Sequence, residues 1–170
     1  MTPYKKIWYF SRWLLLLPIF YTFFGTASGN CDQLYFMKSS THPNFAVDGS
    51  DPMVVKIQTA KDDSIQKWQF VGANHVGLFH IFNNDTGTVL EEDLNNCVLE
   101  LYPYCRVRLS PLESNKHVQK WFLNSNGTIT NAYSLQNLDI YGRDYEPGTE
   151  VITYRENLGA NQLFKLEETS

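Results

Sequence analysis

Asp139, Tyr154, Asn161 and Gln162 bring a carboxylate, an aromatic ring and two amides within a short stretch near the C-terminus. A carboxylate accepts hydrogen bonds, an amide both donates and accepts them, and a tyrosine face is a flat apolar wall. Such a set suits a small polar ligand held by a few directed bonds. Each residue also has a plainer use. Asp139 could serve a turn leading to Gly142, Tyr154 could pack on a strand, and Asn161-Gln162 could mark a structural corner. Choosing between these uses requires the framework that carries them.

That framework is all-β. Short alternating segments, among them Leu78–Phe82, Arg106–Leu109 and Val151–Tyr154, have the period-2 pattern of strands. Turn residues separate them at Asp48-Gly49, Asn84–Gly87, Ser125–Gly127 and Glu146–Gly148. The segments repeat. Gln66-Lys-Trp68 recurs as Gln119-Lys-Trp121 and more loosely as Gln162-Leu-Phe164, and a Gly followed by an alternating strand comes after each of the first two. Self-similarity at this period identifies a repeat architecture of three units.

Three Gln-x-Trp-like units of this length resemble a single ricin B-type lectin domain covering residues 31–168. The resemblance implies a β-trefoil, with the aromatics filling a shared core and the Gln amides meeting turn backbone groups. It also implies a carbohydrate-binding role. Sugar-binding units of the family carry an Asp in a Leu-Asp-Val-like strand, an aromatic about fifteen positions later, and an Asn before the Gln of the repeat marker. Leu138-Asp139-Ile140, Tyr154 and Asn161-Gln162 match all three elements in the third unit. Galactose or N-acetylgalactosamine is the ligand the resemblance suggests first. In the first unit, aligning Gly49 with Gly142 sets Ala46 at the Asp139 position, and Ile65 precedes the Gln. In the second, Glu91 is the only acidic candidate and Val118 precedes the Gln. Both units are therefore expected to be structural, and Phe164 in place of Trp is a departure within the third.

The remaining features set the context. Lys5, Lys6 and Arg12, the apolar run Trp13–Phe24 and the small residues 25–29 have the order of a secretory leader, with cleavage expected near Ala27 and a secreted, extracellular product. The formal net charge is −4, and loss of three basic residues with the leader would make the chain more acidic, a poor match to nucleic acid. No membrane span is expected in the mature chain. Of three cysteines, Cys97 and Cys105 are the expected disulfide because they close a short loop, although buried thiols are the alternative. Cys31 is left as a possible tether to a partner chain. Asn84-Asp-Thr86 and Asn126-Gly-Thr128 are acceptor sequons for N-linked glycans. There is no Cys-x-x-Cys, and His75 and His80 have no nearby thiol partner, so neither metal nor cofactor is expected. No nucleophile, zinc-protease or phosphate-loop motif supports an enzyme. The rival readings are a trefoil that binds protein, such as a secreted protease inhibitor, and the cell-binding subunit of a multichain toxin.

Overall fold

A computed structural model describes residues 33–169; the expected leader at 1–27 and Cys31 lie outside them. Twelve strands fall into three units of four. The first holds β1 (Leu34–Ser39), β2 (Phe45–Asp48), β3 (Lys56–Thr59) and β4 (Lys67–Gly72). The second holds β5 (Leu78–Asn83), β6 (Val89–Val98), β7 (Tyr104–Ser110) and β8 (Trp121–Leu123). The third holds β9 (Ile129–Asn131), β10 (Asn137–Ile140), β11 (Val151–Tyr154) and β12 (Phe164–Glu168).

The outer strands of each unit build a six-stranded barrel. Pairing runs β12–β1–β4–β5–β8–β9, and the Phe164 N–H donates to Gly127 O at 2.9 Å to bring the two ends together. The inner strands form hairpins β2–β3, β6–β7 and β10–β11 that cap one end. They meet at Val55, Val107 and Val151, all fully buried, where the Val55 N–H donates to Val107 O and the Val151 N–H to Val55 O, each at 2.9 Å. This is the β-trefoil implied by the repeats. Closing the barrel leaves its strands without an open edge.

The repeat markers occupy equivalent places. Each Gln ends a one-turn 3-10 helix, at Ser64–Gln66, His117–Gln119 and Ala160–Gln162, immediately before the closing barrel strand. Two positions later Trp68 and Trp121 are fully buried, and their ring N–H groups donate to Val47 O at 3.1 Å and Leu90 O at 3.0 Å. Phe164 fills the third place at 5% exposure but has no ring N–H to offer. Ile57, Ile81, Leu90, Leu138 and Ile140 complete the core. Gly127 turns the chain into β9 at φ +89°, and a side chain there would press on Phe164 O.

One sequence alignment fails. In the structure Asp48, not Ala46, stands where Asp139 stands: Val47 and Asp48 pair with Ile57 and Lys56 as Leu138 and Asp139 pair with Thr153 and Ile152. Gly49 and Gly142 are not equivalent, because two residues, Ile140 and Tyr141, separate Asp139 from its glycine and none separates Asp48 from Gly49.

The second unit carries an insertion. Between Asp93 and Cys97 the β6–β7 register shifts, and Asp93 ties the extra residues by accepting from the Asn95 N–H at 3.1 Å and Asn96 Nδ2 at 2.6 Å. Cys97 and Cys105 then sit directly opposite each other and form the expected disulfide. The tip beyond this staple is a finger that presents Leu99, Leu101 and Tyr102 to solvent.

Candidate functional site

All three units hold a carboxylate against their marker Gln. Gln66 Nε2 donates to Asp48 at 2.9 Å, Gln119 Nε2 to Glu91 at 2.6 Å and Gln162 Nε2 to Asp139 at 2.8 Å. In each case Nε2 also donates to a carbonyl at or just past the end of the hairpin, that of Thr59, Pro111 or Arg155, while Oε1 accepts a loop N–H from Lys61, Glu113 or Asn157. The pair locks the hairpin to the 3-10 turn, satisfying groups that burial would otherwise orphan.

Around that shared pair the units diverge. Glu91 accepts from Arg108 Nε at 3.0 Å and from the Ser110 hydroxyl at 2.6 Å, and Arg108 Nη2 is its ion-pair partner. Burial pushes the Glu91 carboxyl up, but the bonds from Ser110, Arg108 and Gln119 outweigh it and hold the group below the usual range. Asp48 accepts the Ser50 N–H at 2.9 Å as a turn residue. Two positions along the paired strand from each carboxylate's partner stand Gln58 in the first unit, Ser110 in the second and Tyr154 in the third. Directly before the Gln stand Ile65, Val118 and Asn161.

The third unit therefore concentrates the polar chemistry. Asp139, 2% exposed, accepts from Asn161 Nδ2 at 2.8 Å on one oxygen, and from Asn157 Nδ2 at 3.0 Å and Gln162 on the other. Its hydrogen-bond donors are all neutral amides. Burial pushes its carboxyl up to about 6, against the pull of those amides and the nearby charge of Arg143. Asn161 is also 2% exposed, and its Oδ1 has no hydrogen-bond partner among the described residues. An amide oxygen left so is an acceptor in need of a donor.

A cleft of about 390 Å³ opens over this cluster, lined by Asp139, Asn161 and Tyr154 together with Asn157 and Arg143. Gln162 is not part of the lining; it lies behind Asp139, with both ends of its amide engaged by protein. Tyr154 is half-buried and carries the Arg155 guanidinium 5.9 Å from its ring centroid. Tyr102, Tyr104 and Tyr141 form the remaining wall. The backbone around the cleft bends through unusual conformations, with φ +60° at Arg143 and +53° at Leu158. Close packing also demands Gly159: a side chain there would overlap Asn161 Oδ1, lie 2.7 Å from Asn157 Oδ1 and 2.9 Å from Arg143 Nη2.

Sequence reasoning missed Asn157, Arg143, Gly159 and the three wall tyrosines. Asn157, between Tyr154 and Asn161, could have been found by asking which further amide the Asp needs. Tyr104 could not, because it reaches the third unit only through the β7–β11 pairing of Tyr104 with Tyr154. Asn84 and Asn126 are both exposed on turns, between β5 and β6 and between β8 and β9. Among the described residues no group of His, Cys, Asp and Glu could hold a metal ion, and no helix is long and apolar enough to cross a membrane.

Known proteins share this architecture. A designed threefold-symmetric protein, ThreeFoil, aligns with a TM-score of 0.68 at 20% identity, covering 78% of this chain and 96% of its own. The C-half of an earthworm R-type lectin, solved in complex with N-acetylgalactosamine, aligns at 0.60 and 18% identity, covering 81% and 99%. A mosquitocidal holotoxin aligns at 0.67 and 20% identity over 81% of this chain, which spans 17% of the toxin. At such identities the likeness establishes the fold. No curated protein matches the sequence. The model of the ricin-type β-trefoil lectin domain-like family matches residues 64–154, more than half of the chain, and the protein belongs to that family.

Proposed function

We propose that the chain is a secreted carbohydrate-binding protein with one sugar site, in the third unit. The observation that carries this reading is the convergence, over one cleft, of a buried carboxylate held only by amides, an Asn acceptor without a protein partner, and a tyrosine face. Asp139 and Asn161 accept ligand hydroxyl hydrogens, Asn157 and Asn161 orient the carboxylate, and Tyr154 stacks on the apolar face of the ring. Gln162 acts from behind by fixing Asp139. Galactose and N-acetylgalactosamine are the ligands of first choice, in keeping with the N-acetylgalactosamine complex of the earthworm lectin. The leader-like N-terminus and the Cys97–Cys105 disulfide, which persists in oxidising compartments, support export. Calorimetric titration of the purified protein with both sugars tests the reading. One site per chain that Asp139→Ala weakens by roughly one to two decades, in a variant that stays folded, is the expected result; unchanged affinity in that variant would remove the site.

A further inference from the structure

The cleft over Asp139 does not end at the third unit. Its far wall belongs to the second, where the stapled finger carries Tyr102 and Tyr104, and the Tyr104 ring meets that of Tyr141 at 5.3 Å and 53°. Beyond this pair lies a second hollow of about 660 Å³, which shares Tyr104, Tyr141 and Gly142 with the first. Its lining includes Arg106, Asp144, Glu146 and Glu150. Arg106 is held by Glu150 through two hydrogen bonds of 3.2 and 3.1 Å, while Asp144 and Glu146 have no ion-pair partner among the described residues. The hollow is therefore net negative. Tyr141, shared by both hollows, remains 47% exposed, and Tyr102 on the wall of the first is 58% exposed.

We infer that the site takes a neutral oligosaccharide of at least two residues, with the terminal sugar over Asp139 and the next laid across Tyr104 and Tyr141, and that it rejects glycans whose second residue is anionic. The inference rests on the sugar-binding reading of the first cleft. Of the two tilted rings, the more exposed Tyr141 offers the next pyranose an apolar face and Tyr104 an inclined side wall, at low entropic cost because the rings have few rotatable bonds. A carboxylate or sulfate on that residue would instead face Asp144 and Glu146 in a hollow whose one lining cation among the described residues, Arg106, is already held by Glu150, and like charges brought together there repel.

Three probes share a terminal galactose: methyl β-galactoside, lactose, and the disaccharide in which the second residue of lactose is the uronic acid. On the wild-type protein lactose should bind about fivefold or more tighter than the methyl galactoside, the effect of one additional stacked ring. The uronic acid should bind more weakly than lactose, with the gap narrowing as salt is raised. Tyr141→Ala should bring the lactose to galactoside affinity ratio close to one. The double variant D144N/E146Q should leave both neutral affinities unchanged and restore the uronic acid toward lactose. Equal wild-type affinities for galactoside and lactose would overturn the inference while leaving the first cleft intact. A uronic acid that binds as well as lactose would overturn its charge selection. A protein that binds none of the three probes fails at the first cleft, and the inference falls with it.

Discussion

Asp139 and Glu91 occupy the same place in successive units, bond the same marker amide, and differ in what else is bonded to them. Glu91 faces the Arg108 guanidinium, Ser110 and Gln119, so its charge is neutralised within the protein. Asp139 faces three amides and an open cleft, and burial lifts its pKa toward neutrality. The carboxylate–Gln pair is thus a fastening common to the fold. Under the proposed sugar-binding reading, only a fastening whose charge is left unpaired, next to a spare acceptor and an aromatic face, serves binding. The repeat marker reports architecture, and what separates the units lies at the Tyr154 and Asn161 positions, on which the proposed function rests.

The comparison can be broken or sharpened in several ways. The largest effect belongs to the shared core: Trp121→Ala should cost about 3–5 kcal/mol of stability in urea unfolding, because it removes a fully buried ring and leaves a cavity. Glu91→Ala should cost about 3 kcal/mol by removing the nearer carboxylate of Arg108 and the buried acceptor of Ser110 and Gln119, with sugar affinity unaltered in protein that remains folded. Asp139→Ala should do the reverse in binding, weakening it by roughly one to two decades through loss of charge-assisted bonds worth about 1.5–3 kcal/mol each. If Glu91→Ala weakened sugar binding as much as Asp139→Ala, the distinction between fastening and binding carboxylates would fail.

Protonation gives a subtler handle. The native pKa of Asp139, about 6, lies above its ordinary value of 3.8, so between those limits the folded state holds the proton more tightly than the unfolded one. Its ionisation therefore lowers stability as pH rises from about 4 to about 6, and has no further effect above. Under the proposed reading, sugar hydroxyls bond better to the ionised form. Affinity should be full above pH 7 and about tenfold weaker at pH 5, where only a tenth or so of Asp139 is charged. A flat affinity profile between pH 5 and 7 would show that the carboxylate charge plays no part. The smallest expected effect is a gain: Phe164→Trp supplies the ring N–H that its counterparts give to Val47 O and Leu90 O, and should add about 1 kcal/mol in the same unfolding experiment.

Much of this was legible in the sequence, for identifiable reasons. Trp68, Trp121 and Phe164 recur in phase because each must plug the same core, so the spacing shows three units and the trefoil follows from the family that such units resemble. Asp139, Tyr154, Asn161 and Gln162 lie on consecutive elements of one unit, and local order in the chain keeps them in register. Asp48 was misplaced because glycines were used as the alignment point, and turns tolerate shifts that a buried carboxylate–Gln pair does not. Tyr104, Tyr141 and the acidic hollow were invisible because contacts between units, rather than order within one, bring them together.

The cross-strand pair Cys97–Cys105 has an engineering consequence. It bolts the hairpin shut at the base of the finger, below residues 98–104 and above the buried segment that ends at Asp93. Tyr104 is tied to Tyr154 and Tyr141, but changes at 99–103 need not propagate into strands whose packing is fixed on the far side of the staple. Residues 99–103 are in that sense an exchangeable cassette, a place where new loops could be screened for altered ligand preference with the Tyr104 contacts kept.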